Sequence, residues 1–451
     1  MPNRYISDHL TLKDILSMRS GLAGMEIVPV VKAFKDRQDL VERLRFVPPV
    51  TGFRDGYVHN EVLFAYIEDV VQALKGENWY DLIRRYLLQP LGMENTVFIG
   101  ASGPPNTAKL ARGTVAYTGQ RTELPLEIYS GIQLIAPAAS ICTTAEDMAK
   151  WLNFLIAGGR VGRSDLVRKQ ALEMTYKALV ARDSPGDLET EGLRDSELTY
   201  TRDQNALGWI KGYYKGYSVI SQDGTLASYQ SLLSVVLHKK AAAYTAFTGD
   251  KDRRSLVAKI LLNTVGLDYL IDGTSDVTPQ KICETLNRVL SNREVASKGN
   301  RNIQRVASTN EKFDQYAADY RNYAFGDISV RFNESSNGFS LIYGEAEYKL
   351  EKTNVNDTFQ LMSGGNKYWY TTNSDYGRTK PIFATFKLDP ENRIKSVIIT
   401  GFDKDSDAEF STQPRLPYDE SYYYRSVCAG SSSTISSLWF TSLVALLCYF
   451  R

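Results

Sequence analysis

Three histidines, His9, His59 and His238, are the side chains best suited to carry protons near neutral pH. His59 is followed by Asn60 and Glu61 at the start of an amphipathic segment, so an imidazole and a carboxylate stand two residues apart. His59 alone could carry protons in catalysis, whereas a charged Glu61 is harder to reconcile with a catalytic site. An exposed histidine at a helix start, followed by an acidic residue that favours the first helical turn, explains the same residues equally well. The sequence leaves both interpretations open.

Other arrangements that support catalysis are missing from the sequence. It contains neither Ser-x-x-Lys nor Gly-x-Ser-x-Gly, two patterns that present a serine as a nucleophile. The histidines are far apart and do not occur as His-Glu-x-x-His. The four cysteines form no Cys-x-x-Cys pair; they are Cys142, Cys283, Cys428 and Cys448. We therefore expect no metal site and no cofactor.

The elements around these residues follow from apolar periodicity and capping patterns. Thr11 and Thr144 each begin a Thr-x-x-Asp capping box, and an apolar stripe predicts a helix over 60–75 that ends at Gly76. Period-two patterns then predict an antiparallel meander with strands over 206–214, 217–221, 231–237 and 241–247. A helix over 253–265 follows. The predicted fold class is α+β.

Two more segments follow this unit. Residues 269–312 are polar and helix-prone, which predicts a helical linker. From 313 to 415 apolar and polar residues alternate, as in Ile328–Phe332, Tyr368–Tyr370 and Ile382–Phe386, with a turn at Gly364-Gly365. This pattern predicts a small antiparallel β-domain that resembles a barrel.

Composition excludes some classes of partner. The 53 basic and 52 acidic residues are scattered along 451 residues, so electrostatics give no reason to expect a nucleic acid. A hydrophobic content of 43% is sufficient for packed domains.

The last segment, 416–451, has the composition of a membrane attachment signal. Small residues at Ala429 to Ser431 precede a serine-rich spacer and an apolar tail, Leu438–Phe450. A tail of 13 residues is too short to span a hydrocarbon core of about 30 Å, but it suits a GPI signal. We therefore expect a cell-surface glycoprotein, with sequons at Asn333 and Asn356. Because no secretory signal is visible, we also expect a missing N-terminus.

Four collinear segments resemble the serine β-lactamase and penicillin-binding-protein family. They are Leu10–Leu22 (LTLKDILSMRSGL), Gln89–Met93 (QPLGM), Thr143–Leu152 (TTAEDMAKWL) and Leu207–Trp209 (LGW). The resemblance implies a β-lactamase/transpeptidase-like fold over 1–268 that lacks its N-terminal part. It also implies three motifs around one groove: Ser-x-x-Lys, Tyr-x-Asn, and Lys-Thr-Gly or His-x-Gly, which together perform acyl transfer.

This sequence departs from each of those motifs. Ser-x-x-Lys is absent, and His59-Asn60-Glu61 stands where Tyr-x-Asn belongs, although a shift of two residues would use Tyr57 instead. Gln222-Asp223-Gly224 replaces the third motif, with a polar β-turn as the alternative interpretation. We expect Glu61 and Asp223 to oppose an anionic substrate, by about 2 kcal/mol for each like charge at about 7 Å.

Two functional hypotheses follow from these departures. The first is a catalytically impaired, surface-anchored homologue that binds a small-molecule or peptide ligand in the groove. The second is an active serine hydrolase, of the esterase or peptidase kind, whose Ser-x-x-Lys segment lies outside this chain.

Overall fold

The computed structural model describes residues 4–99, 110–117, 120–182, 200–226, 228–249, 253–296, 313–333, 338–363, 381–403 and 406–414. The C-terminal tail, residues 297–312 of the linker, the turn at Gly364-Gly365 and the strand at Tyr368–Tyr370 lie outside the described residues. Two bodies can be recognised: a mixed helical and β body, and a β-barrel. This architecture confirms the predicted α+β class.

The helices of the first body are short up to residue 175, and local capping explains several of their ends. They are α1 (Arg4–His9), α2 (Leu12–Leu16), α3 (Ile27–Val31), α4 (Arg37–Arg43), α5 (Glu61–Ala65), α6 (Ile67–Lys75), α7 (Trp79–Ile83), α8 (Gln89–Leu91), α9 (Ala136–Ala139), α10 (Ala145–Ile156) and α11 (Lys169–Thr175).

Both threonines cap a helix, but only Thr11 forms the predicted capping box, because the Asp147 carboxylate instead binds Asn95, Thr96 and Lys150. Thr11 forms the complete capping box of α2 with Asp14. Thr144 accepts from the N–H of Asp147 at 3.2 Å, at the start of α10. The helix predicted over 60–75 is divided between α5 and α6 at Tyr66 and ends at Gly76, which adopts the left-handed conformation (φ 69°) that favours glycine.

The main sheet is an antiparallel meander, as predicted. Its strands are β7 (Val180–Ala181), β8 (Gln204–Asn205), β9 (Ile210–Tyr214), β10 (Tyr217–Leu226), β11 (Tyr229–Val236) and β12 (Ala241–Thr248), and they lie in the order β12-β11-β10-β9-β8-β7. Lys215 (φ 49°) and Gly216 (φ 81°) form the tight turn between β9 and β10. Short hairpins and bridges lie outside this sheet: β1 (Val97–Phe98) with β4 (Ile141–Cys142), β2 (Thr114–Tyr117) with β3 (Gln120–Glu123), and β5 (Arg160–Val161) with β6 (Ser164–Asp165).

Two long helices follow the meander. α12 (Arg253–Asp272) packs on β11 and β12, and α13 (Pro279–Ala296) packs on α12. The predicted boundary at residue 268 falls inside α12. Ile282 and Leu286 of α13 pack against the core between α12 and the sheet, so this part of the chain has an apolar contact face that the expected polar linker lacks.

The second body is a closed antiparallel barrel with its strands in chain order. They are β13 (Ala318–Asn322), β14 (Gly326–Asn333), β15 (Gly338–Tyr343), β16 (Ala346–Lys352), β17 (Thr358–Ser363), β18 (Ile382–Leu388), β19 (Ile394–Thr400) and β20 (Ala408–Ser411). Aromatic rings fill its core, including Tyr316, Phe359 and Phe386.

The barrel packs directly on the N-terminal helices, and one hydrophobic core includes residues of both bodies. The N–H of Glu345, in the turn between β15 and β16, donates to the carbonyl of Val31 at 2.7 Å. The side chain of Arg43 donates to the carbonyl of Tyr323 at 3.1 Å. Among the helices that the structure describes, none is both long and apolar enough for a membrane span.

Candidate functional site

Gln222, Asp223 and Gly224 lie within strand β10 and face Leu233, Leu232 and Ser231 of β11. The alternative interpretation of these residues as a turn is therefore wrong, because β10 continues to Leu226. In the described sheet the pairing of β10 with β9 ends at Ser221 and Ile210. The second half of β10 thus forms a sheet edge, which is the location that the family resemblance implies for the third motif.

Asp223 lies on the α12 side of the sheet. It shares its strand face with Val219, which packs in the core under α12, whereas Ile220 packs on the opposite side of the sheet. The carboxylate accepts from the Lys259 ammonium on α12 at 2.8 Å and from the Arg202 guanidinium. Both cations are buried, with exposed side-chain fractions of 0% and 1%. A carboxylate and two cations therefore form one buried cluster.

This cluster changes the expected electrostatics of the groove. Burial alone would raise the pKa of Asp223, but the charges and hydrogen bonds of Arg202 and Lys259 outweigh that effect and lower it well below the usual range. The negative charge of Asp223 is therefore compensated by two adjacent cations. The expectation that Asp223 opposes an anionic ligand is therefore wrong. By the alternation of the strand, Gln222 projects from the other face and is exposed.

His59 lies between two carboxylates. Its Nδ1 is 3.1 Å from Glu26 Oε1, and its Nε2 is 3.8 Å from Glu61 Oε1. The adjacent Asn60 caps α5 by accepting from the N–H of Leu63 at 2.7 Å. This cap explains why the chain turns here and places Glu61 in the first turn of the helix. His59 and Glu61 thus lie close together in the structure, and Glu26 is the third residue of this group.

Tyr57 is the alternative to His59 for the tyrosine position of the second motif, and its ring stacks with a cation. The Arg182 guanidinium carbon lies 4.8 Å from the centre of its ring, and the Tyr57 ring is 6.4 Å from that of His59. Burial raises the pKa of Tyr57 to about 12, with Arg182 opposing the shift. The phenol therefore stays neutral near pH 7, which makes it a poor general base.

The barrel contributes a residue near His59. Asp403 accepts from the N–H of Met25 at 2.7 Å and is 4% exposed. A side chain added at Gly24 would lie 2.8 Å from the His59 carbonyl and 3.8 Å from Asp403. The backbone next to Glu26 and next to His59 is therefore closely packed between α3, α5 and the barrel.

Sequence reasoning missed Glu26, Arg182, Arg202, Lys259 and Asp403. Lys259 offered a signal, because it interrupts the apolar run SLVAKILL of α12. The other four are ordinary charged residues far from the motifs in sequence. Within the described part of the chain, no group of three His, Cys, Asp or Glu residues is placed to hold a metal ion.

Gly224 is packed closely against the neighbouring strand. A Cβ atom there would lie 2.6 Å from the hydroxyl oxygen of Ser231. Because Gly224 has no side chain, the two strands can approach each other closely at the sheet edge.

Comparisons with known proteins identify two curated relatives and a solved structure to which this chain is similar. The chain is 25% identical over 269 residues to an unguisins hydrolase of Aspergillus violaceofuscus, covering 57% of this chain and 47% of that protein. It is 22% identical over 150 residues to Gigasin-6 of Magallana gigas, covering 33% and 49%. The chain thus spans about half the length of these curated relatives. A penicillin-binding protein homologue from Pyrococcus abyssi covers 90% of this chain and 81% of its own, at 14% identity and a TM-score of 0.43.

A family model described as Beta-lactamase matches residues 3–266. The match covers more than half of the chain and includes the whole meander, His59-Asn60-Glu61 and Gln222-Asp223-Gly224. The sequence resemblance to β-lactamases and penicillin-binding proteins is therefore confirmed. The chain belongs to the β-lactamase family.

Proposed function

We propose that this chain is a catalytically impaired member of the β-lactamase family whose groove binds a small-molecule or peptide ligand without hydrolysing it. The observation that carries the proposal is the contact of His59 with Glu26 and Glu61. Acyl transfer passes through an anionic tetrahedral intermediate, which donors and cations stabilise. The carboxylates of Glu26 and Glu61 lie beside His59, which occupies the proton-carrying position, and they would repel the negative charge of that intermediate.

The neighbouring positions support the same proposal. Gln222, a neutral amide, occupies the place that family resemblance gives to a cation. Loss of one group that stabilises the oxyanion typically costs about 3 kcal/mol or more. Tyr57 is no substitute for the missing tyrosine, because burial raises its pKa to about 12.

A second candidate, an active hydrolase, is favoured by the pair of His59 and Glu26. An imidazole held by a carboxylate through Nδ1 is a known arrangement for a general base. One relative is named a hydrolase of unguisins. This candidate also needs a nucleophile, and Ser-x-x-Lys does not occur in the sequence.

The test uses the complete natural polypeptide that contains this sequence. It is incubated with a fluorophosphonate probe and with a fluorescent penicillin, and ester hydrolysis is followed in parallel. We expect neither covalent labelling nor turnover. Stable labelling together with hydrolysis that is lost in His59→Ala but kept in the matched control His238→Ala would overturn the proposal and establish the hydrolase. His238 is a suitable control because it is exposed in the turn after β11.

A further inference from the structure

The turn between β16 and β17 contains one of the two sequons, Asn356-Asp357-Thr358. The N–H of Thr358 donates to the carbonyl of Val355 at 3.3 Å, which closes a four-residue β-turn with Asn356 and Asp357 at its centre. Asp357 adopts the left-handed conformation, with φ 52°. Asn356 therefore lies at the tip of a tight turn, a location that suits the acceptor asparagine of a sequon.

The residues on both sides of Asn356 are anchored in the barrel. The Asp357 carboxylate accepts from the Tyr316 hydroxyl at 2.6 Å. The hydroxyl of Thr353 donates to the carbonyl of Thr358 at 2.7 Å, and both threonines are buried. Asn356 itself is exposed. An exposed asparagine in a turn that is held from both sides can carry a bulky polar group without disturbing the core.

This turn lies at the end of the barrel that is remote from the first body. In a closed antiparallel barrel with its strands in chain order, successive turns alternate between two ends. The turns that contain Tyr323, Glu345 and Asp403 all contact the first body. The turn between β16 and β17 alternates with them and therefore lies at the opposite end. Strand β14 ends there at Asn333, in the second sequon, and β20 ends there at Ser411.

We propose that Asn356 is an N-glycosylation site and that its oligosaccharide covers the end of the barrel opposite to the first body. The donor is an oligosaccharide linked to a polyprenyl diphosphate. The Asn356 Nδ2 bonds to the anomeric carbon of the first N-acetylglucosamine as the bond from that carbon to the diphosphate oxygen breaks. The amide loses a proton, and the diphosphate leaves on the lipid. Glycosylation here is independent of whether the groove binds or hydrolyses a ligand.

The contacts of Thr358 determine when the transfer takes place. A sequon requires the hydroxyl of its third residue. In the folded barrel the Thr358 hydroxyl donates to the Asn356 carbonyl at 3.1 Å and lies 3.2 Å from the hydroxyl of Thr385. Thr358 is 4% exposed, so the transferring enzyme cannot reach this hydroxyl. The transfer therefore precedes the pairing of β17 with β18.

The test uses the complete natural polypeptide expressed in animal cells. The protein is treated with peptide N-glycosidase in heavy-oxygen water, which converts each glycosylated asparagine to a labelled aspartate, and its peptides are mapped by mass spectrometry. We expect the label at Asn356 in most molecules. Because Asn356 is exposed, the glycan should also be released from the folded protein without denaturant. An unlabelled Asn356 would overturn the proposal, wherever else the label appears.

Matched variants assign the glycan to this sequon. Asn356→Gln should lose one glycan from the intact mass, whereas Asn354→Gln should keep it, because that exposed asparagine precedes the same turn but belongs to no sequon. Thr358→Ser keeps the hydroxyl and should keep the glycan, and Thr358→Val should lose it. Asn333→Gln removes the other sequon and should leave the label at Asn356 unchanged.

Poor folding of a variant does not obscure the result. Because the transfer precedes the closing of the barrel, the glycan is read from whole-cell extracts even where a thermal melt of the purified variant shows a loss of stability. An intact mass that Asn356→Gln leaves unchanged, or a glycan that persists in Thr358→Val, would show that Asn356 is not the acceptor.

Discussion

Neighbouring residues on β10 meet different environments, and this difference sets the charge at the sheet edge. Asp223 faces α12, where Arg202 and Lys259 hold its carboxylate. Gln222 is exposed on the other face. Because strand residues alternate between faces, a negative charge in the sequence motif does not become a negative charge in the groove.

Removing the carboxylate of Asp223 tests this arrangement. In Asp223→Asn, two buried cations lose an ion-pair partner, and breaking a buried ion pair typically destabilises a protein by about 3–5 kcal/mol. The carboxylate is 22% exposed, so we expect a loss near the lower figure. Urea denaturation of the wild type and the variant measures the free energy of unfolding. Asp165→Asn is the control, because the exposed pair of Asp165 with Arg160 should contribute less than about 1 kcal/mol.

The same variant should change the dependence of stability on pH. The folded-state pKa of Asp223 is lowered from its ordinary value of 3.8, so the stabilisation is present above that pH and is lost as the pH falls below it. The wild type should therefore lose stability more steeply than Asp223→Asn below about pH 4. Parallel curves in that range would contradict the ion cluster.

At the scale of the elements, the contact between α3 and the barrel depends on Gly344. This residue has φ 56°, and a Cβ atom there would lie 2.2 Å from the carbonyl oxygen of Val31. The close approach lets the N–H of Glu345 donate to that same carbonyl. Gly344 is thus required both by its backbone conformation and by its neighbour.

We expect Gly344→Ala to lower the free energy of unfolding by about 2 kcal/mol more than Gly216→Ala does. Both substitutions place a side chain at a positive φ, which costs about 1–2 kcal/mol. Gly216 has open space around it, whereas Gly344 also meets backbone that cannot move aside, and such overpacking adds about 1–3 kcal/mol. Equal effects of the two substitutions in chemical denaturation would show that the α3–barrel contact tolerates a side chain.

The helices, strands and turns could be predicted from local sequence patterns, whereas the candidate site could be predicted only in part. The caps at Thr11 and Thr144, the stop at Gly76 and the turn at Lys215-Gly216 depend on a few adjacent residues, so the sequence is sufficient to predict them. The partners of His59 and Tyr57 depend on contacts between distant segments. Glu26 is 33 residues from His59, and Arg182 follows strand β7, far from Tyr57 in the sequence, so no local pattern identifies them.

At the scale of the whole molecule, the barrel shares one hydrophobic core with the body that carries His59. The core shared between the two bodies includes Val31 and Phe34 on one side and Tyr343 and Phe402 on the other. Asp403 extends this contact to the backbone beside Glu26. Both bodies therefore build the surroundings of His59, and movement of the barrel would change the geometry there.

The last prediction concerns the attachment of the whole molecule to a membrane. We propose that the apolar tail Leu438–Phe450 is a GPI signal, since a helix of 13 residues extends about 20 Å and a membrane span needs about 30 Å. Expressed in animal cells behind a secretory signal, the protein should appear on the surface. Treatment with phosphatidylinositol-specific phospholipase C should release it into the medium.

The small residues that precede the tail provide the matched variant. Replacing Ala429, Gly430 and Ser431 by leucine should prevent transfer to the lipid, because the attachment site accepts small side chains. The same replacement at Ser421, Tyr422 and Tyr423, upstream of the signal, should leave surface attachment unchanged. Surface protein that resists the phospholipase but is released by detergent would mean that the tail is held in the bilayer directly.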